Sequence, residues 1–271
     1  MIESKSKFTS ILSSIIVILT VIAAGGGLIF PDVYRDDAIN NAINKAGLYG
    51  NDLVTLIVAV PLLIGALIFA TRDSLRARLI WLGMTYYILY NYAFYLFGAA
   101  INWFFPLYVA LIILPVLVLI FALSNTDING LSQNFRLTAS IRWVSGYMFL
   151  FTALLVVVWA AQWLSFIVAV SPDAEQGNFI RTVAGMDMLL LASGMLLGAV
   201  WLWKRRPWGY LVATILNVSV AIYMLVLTVG SFTQAMVGVE GATALIPLWV
   251  FLGIASLVAS LILLGNLPAS R

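Results

Sequence analysis

Neither cysteine nor histidine occurs among the 271 residues of the chain, and only 9% of them are charged. The missing cysteine excludes disulfides, thiol redox chemistry and iron–sulfur ligation by this chain. The missing histidine excludes histidine-ligated zinc or haem and a Ser-His-Asp triad. Any catalysis would fall to carboxylates, hydroxyls, amides or Arg and Lys. Walker and GxGxxG spacings are absent, so the glycines build no phosphate loop. Soluble domains run near 25% charged; here 63% of residues are hydrophobic, the composition of a polytopic membrane protein. The net charge of +3 is too small and too dispersed to suggest nucleic acid.

Crossing about 30 Å of hydrocarbon takes roughly 20 apolar residues. Eight runs qualify, at about 8–30, 53–70, 79–99, 104–123, 143–170, 183–203, 208–232 and 244–265. The first follows Lys5 and Lys7 as a signal peptide would, but its apolar stretch is too long for an h-region and reads as an uncleaved span. With the N-terminus inside, the inner segments carry Lys5, Lys7, Arg72, Arg76, Arg78, Arg136, Arg142, Lys204, Arg205, Arg206 and Arg271. The outer segments carry only Arg35, Lys45 and Arg181, which accounts for all 14 basic residues. That partition is the bias of the positive-inside rule, and it puts both termini in the cytoplasm.

Acids lean the other way. Asp32, Asp36, Asp37, Asp52, Asp173, Glu175, Asp187 and Glu240 lie outside or near the outer boundary, against Glu3, Asp73 and Asp127 inside. This is either a cation-attracting face or ordinary solvated loop. Within 31–52, Asp36 or Asp37 can cap a short amphipathic helix bearing Ile39, Ile43 and Ala46, with Gly47 as terminator. Asp52, in "GND" directly before the second span, reads as an N-cap.

Spacing points to a duplication. Pro31-Asp32 ends the first span and Pro172-Asp173 the fifth; Pro106-Leu107-Tyr108-Val109 opens the fourth and Pro247-Leu248-Trp249-Val250 the eighth. Asp52 and Asp187 lie near the starts of spans two and six, and a basic hairpin then leads to Trp81 and to Trp208. Four helices per unit is an even number, so the repeats share one orientation, about an axis along the membrane normal.

Polar side chains inside the spans are the candidates for function. Asn91 falls near the middle of the third span, on one stripe with Tyr95, Gly98 and Asn102, while Tyr87 and Phe94 share a neighbouring face. An unpartnered amide in hydrocarbon costs several kcal/mol, so Asn91 faces inward, as interhelical glue or as part of a site. Tyr86, Tyr87, Tyr90, Tyr92 and Tyr95 surround the helix. Tyr92 and Tyr95 approach the outer interface, where with Trp103 they fit a belt, and Asn91 with Tyr87, Tyr95 and Tyr90 is the cavity material. Asp187 sits about a turn into the sixth span, at the positive end of the helix dipole. There it is a structural acid or a group for a cationic or hydroxylated ligand, a proton or a small cation. Asn217 and Tyr223 lie inside the seventh span, the counterpart of the third. Gly25-Gly26-Gly27 and the pair Gly194/Gly198 read as close-packing surfaces.

The strings "GNDLVTLIVAVPLL", "RLIWLGMTYYILYNYAFYLFGAAIN" and "LWKRRPWGYLVA" resemble segments of a group of uncharacterised bacterial multi-pass membrane proteins. The layout is also similar to four-helix EXPERA and DoxX-like membrane domains, doubled. Those carry an acid after helix one and another near the start of helix two, here Asp32 with Asp52 and Asp173 with Asp187. EXPERA-type sterol isomerases use a histidine with their acids, so the resemblance implies ligand binding here without that isomerase chemistry.

The expectation is an all-α polytopic protein of the bacterial inner membrane with about eight transmembrane helices. Its parts are a four-helix repeat at 1–125, a cytoplasmic linker at 126–142 and a second repeat at 143–271. A cavity within the bundle, open to the outer side, would bind or carry a small apolar or amphiphilic ligand. The candidate ligand-binding residues are Asp187, Asn91, Tyr87, Tyr95 and Asn217. No catalytic residue, cofactor or metal is expected; the expected partners are the lipid bilayer and a small lipophilic ligand. The alternative is a non-catalytic accessory subunit that meets a membrane protein partner through its Gly/Ala faces. An enzyme pairing Asp187 with a tyrosine is disfavoured by the missing His, Cys and paired catalytic carboxylate.

Overall fold

In hydrocarbon a chain must satisfy its own backbone groups, and a helix does so within one segment. Every regular element among the described residues is helical. The computed structural model describes residues 2–34, 42–98, 101–128, 130, 135, 140–169, 177–178 and 180–267. Asp36, Asp37, Ile39, Pro172, Asp173 and Glu175, and most of the expected linker, lie outside them.

The helices are α1 (Ile2–Ile29), α2 (Ala42–Val54), α3 (Val60–Ala70), α4 (Leu75–Gly98) and α5 (Phe105–Ser124). They continue with α6 (Ser140–Ile167), α7 (Ser193–Trp203), α8 (Pro207–Met236) and α9 (Ile246–Gly265). α2 and α3 form one rod through a wide turn at Thr55–Ala59, where the Val60 N–H reaches back five residues to the Thr55 carbonyl. Pro61, lacking an N–H, sits one residue further on and cannot close the regular ladder. α7 is preceded by two similar wide turns, Ile180–Ala184 and Asp187–Ala192. Among the described residues seven rods are long and apolar enough to cross a membrane, the make-up of a multi-pass membrane protein. The remaining rod, α4, has 24 residues and a more polar composition.

Packing explains that exception. α1 packs on α2, α3 and α5, and α4 packs on α3 and α5. In the second half α6 packs on α7, α7 on α8, α8 on α9 and α9 on α6. α8 also packs along α2 and α4, so α4 has protein on nearly every side. Tyr87, Tyr90, Tyr92 and Tyr95 are therefore all buried, at most 1% exposed. This corrects the belt assignment of Tyr92 and Tyr95: a helix enclosed by neighbours can surround itself with phenols because none meets lipid. Trp103, 81% exposed, does keep a position suited to a belt.

Two further corrections concern α2. It starts at Ala42 and runs straight through Gly47, so 42–50 extends the second rod and is not a separate helix ended by glycine. Asp52 accordingly lies ten residues inside the helix, 1% exposed, and caps nothing. Gly26 receives the ring of Phe104, and Gly194 and Gly198 face Leu216 and Met148, so these glycines mediate packing within the chain.

The hairpins at one end of the bundle are tight. Asp73 and Arg205 adopt left-handed φ of 60° and 52°, and Ser74 N–H and Arg206 N–H reach back to the carbonyls of Phe69 and Trp201. At the same end Arg76 donates to the Leu267 carbonyl at 2.6 Å, and Arg78 donates to Thr126 Oγ1 at 2.9 Å. These cations cover the carbonyl-rich C-terminal ends of α9 and α5.

α4 comes close to α8 at Gly83, where a Cβ would lie 2.7 Å from Val218 and 3.0 Å from the Ile215 carbonyl. Gly83→Leu is expected to force these helices apart at a cost of about 1–3 kcal/mol. A lowered thermal midpoint in detergent checks this; an unchanged midpoint would contradict the crossing.

Candidate functional site

The third-span stripe singled out from the sequence makes a zipper with α2. Tyr87, Asn91 and Tyr95 follow one another at intervals of four on α4, one above the next. Their partners on α2 and the turn after it descend in the opposite sense. The Tyr95 hydroxyl donates to Asp52 Oδ1 at 2.8 Å, with the Leu48 carbonyl at 3.3 Å. Asn51 Nδ2 donates to Asn91 Oδ1 at 2.8 Å. The Tyr87 hydroxyl and Thr55 Oγ1 are 2.7 Å apart, and Thr55 Oγ1 donates to Asn51 Oδ1 at 3.2 Å.

Asp52 takes a second phenol, the Tyr34 hydroxyl donating to Oδ2 at 2.5 Å. Tyr34 stands in a short 3-10 turn just after α1. Gly27 makes the room: a Cβ there would collide with both the Asp52 carboxylate and the Tyr34 hydroxyl. Both oxygens of this acid are thus held by neutral donors.

Asp187 is held in the same manner from other elements. The Tyr90 hydroxyl donates to Oδ1, and Trp159 Nε1 donates to Oδ2 at 2.8 Å. The Tyr90 ring also meets Tyr223 edge-on, centroids 4.7 Å apart, and the Tyr86 hydroxyl donates to the Leu190 carbonyl at 2.8 Å. Tyr86 and Tyr90 therefore fasten α4 to the Ile180–Trp203 rod on one stripe, while Tyr87, Asn91 and Tyr95 fasten it to α2 on another.

A cavity of about 360 Å³ lies beside this zipper, toward the Val237–Leu245 loop. It is walled by α2, α4, the start of the sixth rod, α8 and the start of α9. Leu48, Phe94, Val183, Val226, Leu227 and Trp249 make its apolar surface; Asn51 and Asn91 on one side, and Tyr223, Ser231 and Gln234 of α8 on another, bring the polar groups. Among the described residues no Asp, Glu, Lys or Arg lines it. Its volume is within the range of pockets that hold small molecules.

Of the five residues proposed from the sequence, Asn91 lines this cavity. Tyr87 and Tyr95 are one step behind it on the zipper, and Asp187 lies behind Tyr90. Asn217 is fully buried, its Nδ2 spent on the Ala213 carbonyl at 2.8 Å. Asn51 and Thr55 were missed, although "GNDLVT" spells them; placing the helix start at 53 hid their register against α4.

No family model matches the chain, and neither a curated protein nor a solved structure matches it.

The geometry separates two substitutions of Asp52. Asp52→Asn keeps an acceptor for one phenol and offers a donor to the other, whose oxygen also accepts. Asp52→Leu takes the acceptor from the Tyr34 hydroxyl, at about 1–3 kcal/mol, and leaves Tyr95 only its longer bond to the Leu48 carbonyl. Asp52→Asn is expected to express and melt near wild type, whereas Asp52→Leu melts well below it. Equal loss in both would show that the carboxylate itself, and not the pair of acceptors, is required.

Proposed function

We propose that this chain is an eight-span protein of the bacterial inner membrane whose intrabundle cavity binds a small apolar or amphiphilic ligand. The observation that carries the reading is the cavity itself: about 360 Å³, mostly apolar, with uncharged polar groups from α2, α4 and α8 and no charge among the described lining residues. A lipophilic molecule enters such a space without leaving a charge unpaired.

α4 is counted as the eighth span because its 24 residues suffice for the crossing and its neighbours shield its phenols from lipid. The basic hairpins at Arg72–Arg78 and Lys204–Arg206 then face the cytoplasm, and the cavity opens toward the outer side. Two parallel repeats are supported by the shared neighbour order in the halves, one-two-three-four closing on itself in each. The left-handed residues at Asp73 and Arg205 occupy the same hairpin in both. In both, too, an acid held by aromatic donors sits beside a wide helical turn. The cavity then lies where the two repeats meet, the position from which rocking of one against the other would carry a ligand.

The absence of cysteine makes the orientation directly measurable. Glu240→Cys in intact cells is expected to react with a membrane-impermeant maleimide, and Arg205→Cys only after permeabilisation. The reverse pattern, or equal labelling, would refute the proposed sidedness.

Native mass spectrometry of the protein in nanodiscs tests the ligand. A stoichiometric small molecule is expected on the wild type. It should fall at least ~tenfold on Val226→Trp, which fills part of the cavity. Occupancy unchanged by Val226→Trp would place the ligand elsewhere. A protein partner in place of any small molecule would favour the accessory-subunit reading.

A further inference from the structure

The hydrogen bonds beside the cavity have a direction. Tyr87 is fully buried, and its hydroxyl has Thr55 Oγ1 as its partner. An interior phenol whose proton finds no acceptor is costly, so Tyr87 donates to Thr55. Thr55 then spends its own proton on Asn51 Oδ1, which turns the Asn51 amide so that Nδ2 donates to Asn91 Oδ1. Asn91 is left with its Nδ2, which is buried and has no hydrogen-bond partner. The opposite polarity would strand the Tyr87 proton in the core, whereas this one leaves the unspent donor on Asn91, one of the residues that line the cavity.

Resting on the cavity reading above, we infer that the cavity takes a neutral lipophilic molecule bearing a carbonyl-type hydrogen-bond acceptor, which receives the Asn91 Nδ2–H. Ketones, esters and quinones have the required chemistry: an acceptor oxygen on an otherwise apolar body. The uncharged walls disfavour carboxylates and amines, which would give up hydration without a counter-charge. A hydrocarbon fits the apolar surface but leaves the amide unsatisfied. The Tyr87–Thr55–Asn51 ladder is thus a positioning device, setting which end of Asn91 meets the ligand.

The test uses the full chain in nanodiscs with two probes, tritiated 2-acetylnaphthalene and tritiated 2-ethylnaphthalene, alike in shape but differing in the carbonyl. Both are expected to bind saturably, the ketone about tenfold tighter. Asn91→Leu is expected to bring that ratio to about one while holding the hydrocarbon within about twofold of wild type. Tyr87→Phe lies off the cavity wall but frees the ladder to invert, and it is expected to cut the ketone preference several-fold. It also carries the test if Asn91→Leu fails to fold. A ketone bound no tighter than the hydrocarbon, or a preference that survives both variants, overturns the assignment and leaves the cavity reading standing. Absence of saturable binding by either probe overturns both.

Discussion

A carboxylate or amide inside an apolar bundle persists only if its polar atoms find partners there, and nearly everything specific about this fold serves that constraint. The partners come chiefly from α4. One stripe, Tyr87, Asn91 and Tyr95, meets Thr55, Asn51 and Asp52. Another, Tyr86 and Tyr90, meets the Leu190 carbonyl and Asp187. Between helices in lipid, apolar contact alone gives little drive for association, and hydrogen bonds measured in such bundles average about 0.6 kcal/mol each. No one of these bonds secures the bundle; their value is that they admit one rotation and one depth of α4. Sliding α4 by a turn would set Tyr95 against Asn51 and leave Asp52 with the Tyr34 hydroxyl alone.

That role accounts for a helix that looks ill-suited to a membrane. Its phenols would be costly against lipid at mid-depth, but α3, α5 and α8 enclose it. The long side chains also set its distances: a phenol reaches an acid across a gap that short residues could not bridge. A cavity beside α4 is the geometric companion of such spacing. α8 closes the far side, approaching α2 so tightly at Gly50 that a Cβ there would lie 2.8 Å from the Gly230 backbone.

How much of this was legible in the sequence depended on what each residue reports. Span positions follow from apolar length, and the helices at 105–124, 207–236 and 246–265 fall close to their expected bounds. The interval of four between Tyr87, Asn91 and Tyr95 revealed a polar face directly, because helical periodicity is local. What that face touches is not local. Asn51 and Asp52 follow Gly50 in a stretch that resembles a helix start, so the acid read as a cap; only α8 packed along the preceding turns shows why the helix begins ten residues earlier. The burial of Tyr92 likewise depends on Tyr108 of α5, stacked 5.9 Å away, and no feature of the third span alone announces it.

Asn91 is not the sole buried group with an unmet valence. Thr20, Tyr108, Asn217 and Ser219 each hold an oxygen without a partner, and Asn102 Nδ2 and Arg76 Nε are further unmet donors, neither of them on the cavity. The distinction lies in what each could still do. A threonine or serine hydroxyl in a helix can turn to its own i−4 carbonyl. Asn217 has its donor engaged by the Ala213 carbonyl, and its idle oxygen is an acceptor, which proteins leave unmet more readily than a donor. Asn91 has neither escape: its oxygen is committed to Asn51, its nitrogen is a donor, and of these residues it alone lines the cavity. An arrangement that satisfies Tyr87, Thr55 and Asn51 in sequence and leaves the deficit on the cavity wall puts the cost where a ligand can remove it.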